Sequence, residues 1–143
     1  MKRGERRLNM NKPNNIVKVP ATLGIDLFKK WFIFLKPFHG LTDRETDIIA
    51  CFTKERYELS KIISDEGYLD KAVMNEDTKK KVREECGITL PHFQVIMSKL
   101  KKSKVIVNNK INPKFIPNFK PGENAFQLLF YFRLEEYKSN DPE

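Results

Sequence analysis

The sequence predicts an α+β fold: a run of amphipathic helices, a short two-stranded hairpin, and a Phe-rich strand near the C-terminus. Three observations predict it. Capping residues recur at Thr42, at Asn75 or Asp77, and at Thr89, each ahead of a stretch with helical character. Asn108-Asn109 lies between two strand-like runs, and asparagine tolerates the positive φ that a two-residue hairpin demands. The stretch "NAFQLLFYFRLEE" alternates, with Phe126, Leu128, Phe130, Phe132 and Leu134 on one face.

Taken in order, residues 1–15, "MKRGERRLNMNKPNN", read as a basic flexible arm. Residues 16–40 form an aromatic-rich strand and helix segment expected to pack on the core. "NIVKVP" at Asn15–Pro20 reads as a short strand whose ladder Pro20 ends. Leu27, Phe28, Trp31, Phe32, Leu35 and Phe38 then fall at helical spacing, which predicts a helix from about Ile25 that stops before Pro37. Phe32 and Phe34 also alternate with Trp31, Ile33 and Leu35, so a strand remains open there. Thr42 and Glu45 have the spacing of a capping box, opening a helix near 43–56 with Ile48, Ile49 and Phe52 buried. After a break near Tyr57, Leu59, Ile62 and Ile63 continue the apolar stripe in a helix near 58–65. Gly67 marks "DEGYLDKAVMNED" as a connection. The next helix, near 76–86, is stopped by Gly87.

The helix near 90–102 follows Thr89, with Pro91 in its first turn, where a missing N–H costs nothing. Phe93, Ile96, Met97 and Leu100 share one face, which is the pattern of a core-facing stripe rather than a cofactor site. His92, Gln94, Val95, Ser98, Lys99 and Lys102 occupy the other. Val105–Val107 and Lys110–Asn112 form the hairpin at 105–112. A C-terminal strand within 117–135, centred near 125–135, should pack beside the N-terminal segment. It is apolar on both faces through Leu129 and Tyr131, so it needs cover or a partner. Residues 136–143 read as a tail.

Composition bounds the functions. The chain has 143 residues with 40% hydrophobic content and 11 phenylalanines, enough for a packed core without staples. No apolar run approaches the roughly 20 residues of a membrane span, and the charged N-terminus lacks the apolar stretch of a secretion signal. Cys51 and Cys86, the two cysteines, read as reduced buried thiols rather than a disulfide. The net charge of +8 is segregated. Residues 79–114 hold ten Lys/Arg against Glu84 and Glu85, residues 1–12 carry a further +4, and the remainder is net −4. A bias toward lysine, as in an AT-rich genome, explains a lysine-rich surface. It does not segregate the signs, which give one side of the fold a positive field.

Helix, glycine turn, helix and hairpin is the order of a winged helix-turn-helix. The stretch "CGITLPHFQVIMSKLKKSKVI", with its return into "INPKF", resembles the winged-helix families of plasmid replication initiators (the RepL type) and MarR-like regulators. The resemblance is one of pattern over about residues 42–116. It implies a winged helix domain at 41–116. The aromatic segment before it and the Phe-rich strand after it depart from those families. The lysine-, asparagine- and isoleucine-rich style is also similar to that of proteins of AT-rich phages, such as crAss-like phages.

Such a fold implies double-stranded DNA as the partner. Pro91, His92, Gln94, Val95 and Ser98 would face the major groove, with Gln94 and His92 reaching base edges. His92 reads equally as a solvated helix residue. Lys99, Lys101, Lys102, Lys104 and Lys110, with Asn108 and Asn109 at the wing tip, would meet phosphates, and Lys114 flanks them. Arg3, Arg6 and Arg7 of the arm would enter a minor groove. The expected role is transcription regulation or replication control in a host cytoplasm, phage-encoded. The alternative is a structural virion component, a head–tail connector or genome-packaging partner, using the same fold for contacts with virion proteins or with its own copies. No enzyme is expected: there is no Gly-rich phosphate loop and no nucleophile elbow. No cofactor or metal is expected either, since Cys86 and His92 lack two further ligands at zinc spacing, and Asp65, Glu66 and Asp70 follow no ligand pattern.

Overall fold

The computed structural model describes residues 14–136. Its elements are α1 (Ile25–Phe34), α2 (Lys36–His39), α3 (Asp43–Ser60), α4 (Glu66–Val73), α5 (Glu76–Cys86), α6 (Leu90–Lys102), the antiparallel pair β1 (Ile106–Val107) and β2 (Lys110–Ile111), and a 3₁₀ turn at Pro113–Phe115. This is a mixed helical chain with a small two-stranded sheet, in keeping with the α+β class. The expected basic arm falls mostly on residues 1–13 and the expected C-terminal tail mostly on 137–143; both ranges lie outside the described residues.

The hub is α3, which touches α1, α4, α5 and α6. Its start is set locally. The Thr42 hydroxyl accepts the Glu45 N–H at 3.3 Å while the Glu45 carboxylate accepts the Thr42 N–H at 3.0 Å, so two donors with no helical partner are satisfied reciprocally. The expected break near Tyr57 does not occur. No glycine or proline interrupts 43–60, and the Tyr57 ring is held on the core side by Phe28 and Phe119, with centroids 6.0 and 5.0 Å away. One helix therefore runs to Ser60, and no second helix forms at 58–65: residues 58–60 end α3 and 61–65 are a loop with Ile62 exposed.

The stretch read as a connection is α4. Gly67 falls in its first turn, and Asp65 caps it by accepting the Tyr68 N–H at 2.9 Å. Arg56 of α3 holds Asp70 of α4 at 3.2 Å. Asn75 starts α5 in the same way, accepting the Thr78 N–H at 2.8 Å. Gly87 ends it in the left-handed region with φ 64°, and the Ile88 N–H reaches back to the Arg83 carbonyl. A residue with a Cβ is disfavoured there, which is why the turn into α6 falls at a glycine.

The N-terminal segment corrects one expectation and meets another. Asn15–Pro20 is not a strand; it is exposed and pairs with no described strand. The helix over the aromatic run does form and breaks ahead of Pro37, so the strand alternative for 31–35 falls away. Phe28, Trp31, Phe32 and Leu35 enter the core, whereas Phe38 is exposed. Buried His39 closes α2. Its Nε2 lies 2.8 Å from the Phe32 carbonyl, and the Leu41 N–H donates to Nδ1 at 3.0 Å, which together assign the neutral Nε2–H tautomer.

The C-terminal strand expected within 117–135 is absent. Residues 124–136 have no helix or strand, and their backbones bond no other described residue. Alternation alone does not make a strand; a ladder needs a free edge alongside, and the sheet here is two residues long. The segment does lie beside the N-terminal helices, through rings. Phe126 packs on Trp31 and Phe119, with centroids 5.5 and 4.9 Å away, and Phe130 stacks on Phe38 at 5.6 Å. Beyond Phe126 the apolar side chains are open to solvent, Phe132 at 82% and Leu134 at 92%. The indole N–H of Trp31 donates to the Phe115 carbonyl at 2.8 Å, tying α1 to the chain just after the hairpin.

Candidate nucleic-acid interface

α6 is anchored by its apolar stripe. Phe93, Ile96, Met97 and Leu100 are buried, and Phe93 faces the Phe52 ring of α3 at 6.1 Å. The other side of α6 is thereby committed to solvent. Pro91, His92, Gln94, Val95, Ser98, Lys99, Lys101 and Lys102 are all exposed there, as expected. Val95 is 57% exposed on this face. The start of α6 is fixed by Thr89, whose hydroxyl accepts the His92 N–H at 3.4 Å.

The end of α6 sets where the hairpin goes. The Val105 N–H donates to the Leu100 carbonyl and the Lys104 N–H to the Lys101 carbonyl, both at 3.1 Å. This double closure demands a left-handed residue, and Lys104 takes it with φ 66°. Asn112 then pins the hairpin to the helix end. Its N–H donates to the Val105 carbonyl at 2.8 Å and its side-chain amide to the Lys104 carbonyl at 3.0 Å. At the tip, Asn108 and Asn109 have φ of 53° and 58°, the two positive values that a tight turn matched to strand twist requires. They are exposed, and Lys110 is half-buried beside them.

Charge separates the lysines into two groups. On the α3–α5 side Lys54, Lys79 and Lys81 are paired, while Lys80 has no ion pair with a described carboxylate. Lys54 lies 3.2 Å from Glu85 and 3.5 Å from Glu55, Lys81 lies 3.1 Å from Glu55, and Lys79 lies 3.7 Å from Glu76. Burial works against the Lys54 charge, but the bond to Glu85 and the charges of Glu85 and Glu55 outweigh it, and its pKa is raised. By contrast Lys99, Lys101, Lys102, Lys104, Lys110 and Lys114 make no ion pair with any described carboxylate. Of the ten Lys/Arg in residues 79–114, these six lie on α6, the hairpin and the turn after it; Lys79 and Lys81 of α5 are paired, and Lys80 and Arg83 of α5 are not.

Arg3, Arg6 and Arg7 lie outside the described residues. Sequence reasoning overlooked Leu90, which is 51% exposed one turn before Gln94 on the same face. An apolar residue next to a cap reads as core, and only the position of α3 beneath the helix shows otherwise. Sequence reasoning reads Cys51 and Cys86 as buried thiols; the fold brings them side by side, with Cys51 buried and Cys86, at the end of α5, only half-buried. Among the described residues no group of three or more His, Cys, Asp or Glu could hold a metal ion, and no helix is long and apolar enough to cross a membrane. No protein-family model matches the chain, nor does any curated protein or solved structure.

Proposed function

We propose that the chain is a winged-helix protein that binds double-stranded DNA, with α6 as the reading helix and the β1–β2 hairpin as the wing, acting in transcription regulation or replication control. The observation that carries this reading is the set of six lysines on α6, the hairpin and the following turn with no described acidic partner. A surface lysine gains little from standing unpaired among its own kind. Six together form a surface matched to phosphates, whose bound counterions would be released on contact. Between them, Gln94, Ser98 and Val95 supply a bidentate amide, a hydroxyl and a methyl contact for base edges.

Affinity for duplex DNA measured at several salt concentrations tests the reading. With all six lysines on phosphates, log affinity falls with log salt at a slope of about −5. A flat salt dependence, or no binding to any duplex, removes it. The apolar segment 124–136 favours a second reading: a structural virion component, such as a head–tail connector or genome-packaging partner, in which neighbouring subunits cover Leu129, Tyr131, Phe132 and Leu134. Fixed stoichiometry in purified particles, together with salt-insensitive association, would select that reading over the first.

A further inference from the structure

Cys51 and Cys86 sit 35 positions apart in sequence, and their sulfurs are 3.4 Å apart. Both are free thiols. They differ in access. Cys51 points from the middle of α3 into the core and is 6% exposed, whereas Cys86, the last residue of α5, is half-buried. Around the pair, Arg44 donates to the Cys86 carbonyl at 2.8 Å, the Cys86 sulfur approaches the Asp47 carbonyl at 4.0 Å, and Lys54 and Glu85 form their ion pair nearby. One accessible thiol backed by one buried thiol is the arrangement of an attacking and a resolving cysteine.

We propose that Cys51 and Cys86 form a thiol–disulfide exchange site that takes low-molecular-weight disulfides of the glutathione class, with Cys86 attacking and Cys51 resolving. The Cys86 thiol gives its proton to solvent, and the thiolate attacks one sulfur of the reagent. A mixed disulfide forms at Cys86 and one thiolate leaves, taking up a proton. Cys51 then attacks the Cys86 sulfur, and the second reagent thiolate leaves, taking up the proton that Cys51 gives up. Two protein thiols and one reagent disulfide become one protein disulfide and two reagent thiols, with two electrons passing to the reagent. The sulfurs need to close from 3.4 Å to about 2 Å, a movement within reach of side-chain rotation and a small helix shift. With Cys51 donating to the Cys86 sulfur, the Cys86 pKa is lowered, which agrees with Cys86 as the attacking thiol, and the same bond with burial raises that of Cys51.

The resulting bond joins α3 to the end of α5, one residue before the Gly87 turn that carries α6. It therefore locks the helix pair that presents the exposed face of α6, whatever that face binds.

The test incubates the full folded chain with oxidised glutathione, blocks remaining thiols, and measures mass under denaturing conditions. The native chain should lose two hydrogens, remain a single chain on a non-reducing gel, and melt at a higher temperature until dithiothreitol restores the starting value. Cys51→Ala should stop at one glutathione adduct, on Cys86. Cys86→Ser should give neither adduct nor disulfide over the same time. Circular dichroism melts of Cys51→Ala and Cys51→Ser identify which variant is folded, and the adduct is read on that one. A disulfide that forms only in denaturant, or an adduct that forms on Cys51 as fast as on Cys86, overturns the proposal.

Discussion

Gln94 and Lys102 lie two turns apart on the open face of α6, and the proposed DNA binding gives them different parts. A bidentate amide on a base edge discriminates; an ammonium on a phosphate does not. Gln94→Ala should cost ~1–3 kcal/mol on a preferred site only, and Lys102→Ala should weaken all duplexes alike and lower the salt slope by about one unit, as binding isotherms at two salt concentrations will show. Lys104 permits a sharper separation of fold from function. Its φ of 66° suits glycine better than lysine. Lys104→Gly should therefore raise stability by up to about 1 kcal/mol while weakening DNA binding, and a variant that melts higher yet binds fully would remove Lys104 from the interface. His39 makes stability depend on pH. Burial lowers its pKa, against an upward pull from its bond to Phe32 and with a further lowering by Lys36. Below the ordinary histidine value of about 6.5 the unfolded chain takes up a proton that the folded chain resists. The stability contributed by the neutral ring is thus whole above that value and is lost as pH falls toward the lowered one. Melts at pH 7.5 and 5.5 should show a larger drop for the native chain than for His39→Gln.

The helices are held by short-range caps and long-range faces, and the two were unequally legible in the sequence. Phe93 tests the faces: Phe93→Ala should cost ~3–5 kcal/mol, read in denaturant melts, because its ring fills the contact between α6 and α3. The caps of α3, α5 and α6 and the Asn108-Asn109 turn were readable because each is closed by residues within a few positions. The exposed face of α6 was readable for a related reason, since its apolar stripe dictates the opposite side. What escaped reading depended on distant partners. Tyr57 ends no helix because Phe28 and Phe119 hold it in the core. α4 is hidden in the sequence because Gly67 has the character of a break, although Asp65 supplies the cap that outweighs one glycine in a first turn. The 124–136 segment has the alternation of a strand, but alternation specifies faces, not a neighbour. The division of lysines into paired and unpaired could not be read at all, since Glu55, which serves Lys54 and Lys81 together, lies on a different helix from Lys81.

At the scale of the molecule, the limits 41–116 that sequence suggests for the domain cut through the core. Phe28 and Phe32 of α1 are almost wholly enclosed, and Phe119 and Phe126 complete the cluster around Phe28, Trp31 and Tyr57. A 41–116 fragment should accordingly lose cooperative melting, whereas 14–136 should keep it; a sharp transition in the shorter piece would mean that α1 is an accessory. The bond from Trp31 to Phe115 spans 84 positions and belongs to the one tryptophan in the sequence. The protein thus carries a built-in optical gauge of that long-range closure. With its indole enclosed and its N–H committed to a carbonyl, Trp31 emission reports docking of α1 against the chain after the hairpin, while the far-ultraviolet dichroism reports the helices as a whole. Removing the neighbouring ring in Phe126→Ala opens one side of the indole and should redden its emission in a chain whose dichroism is unchanged. The same colour change, followed during heating, would tell whether the two ends of the chain part company before the helices melt or together with them.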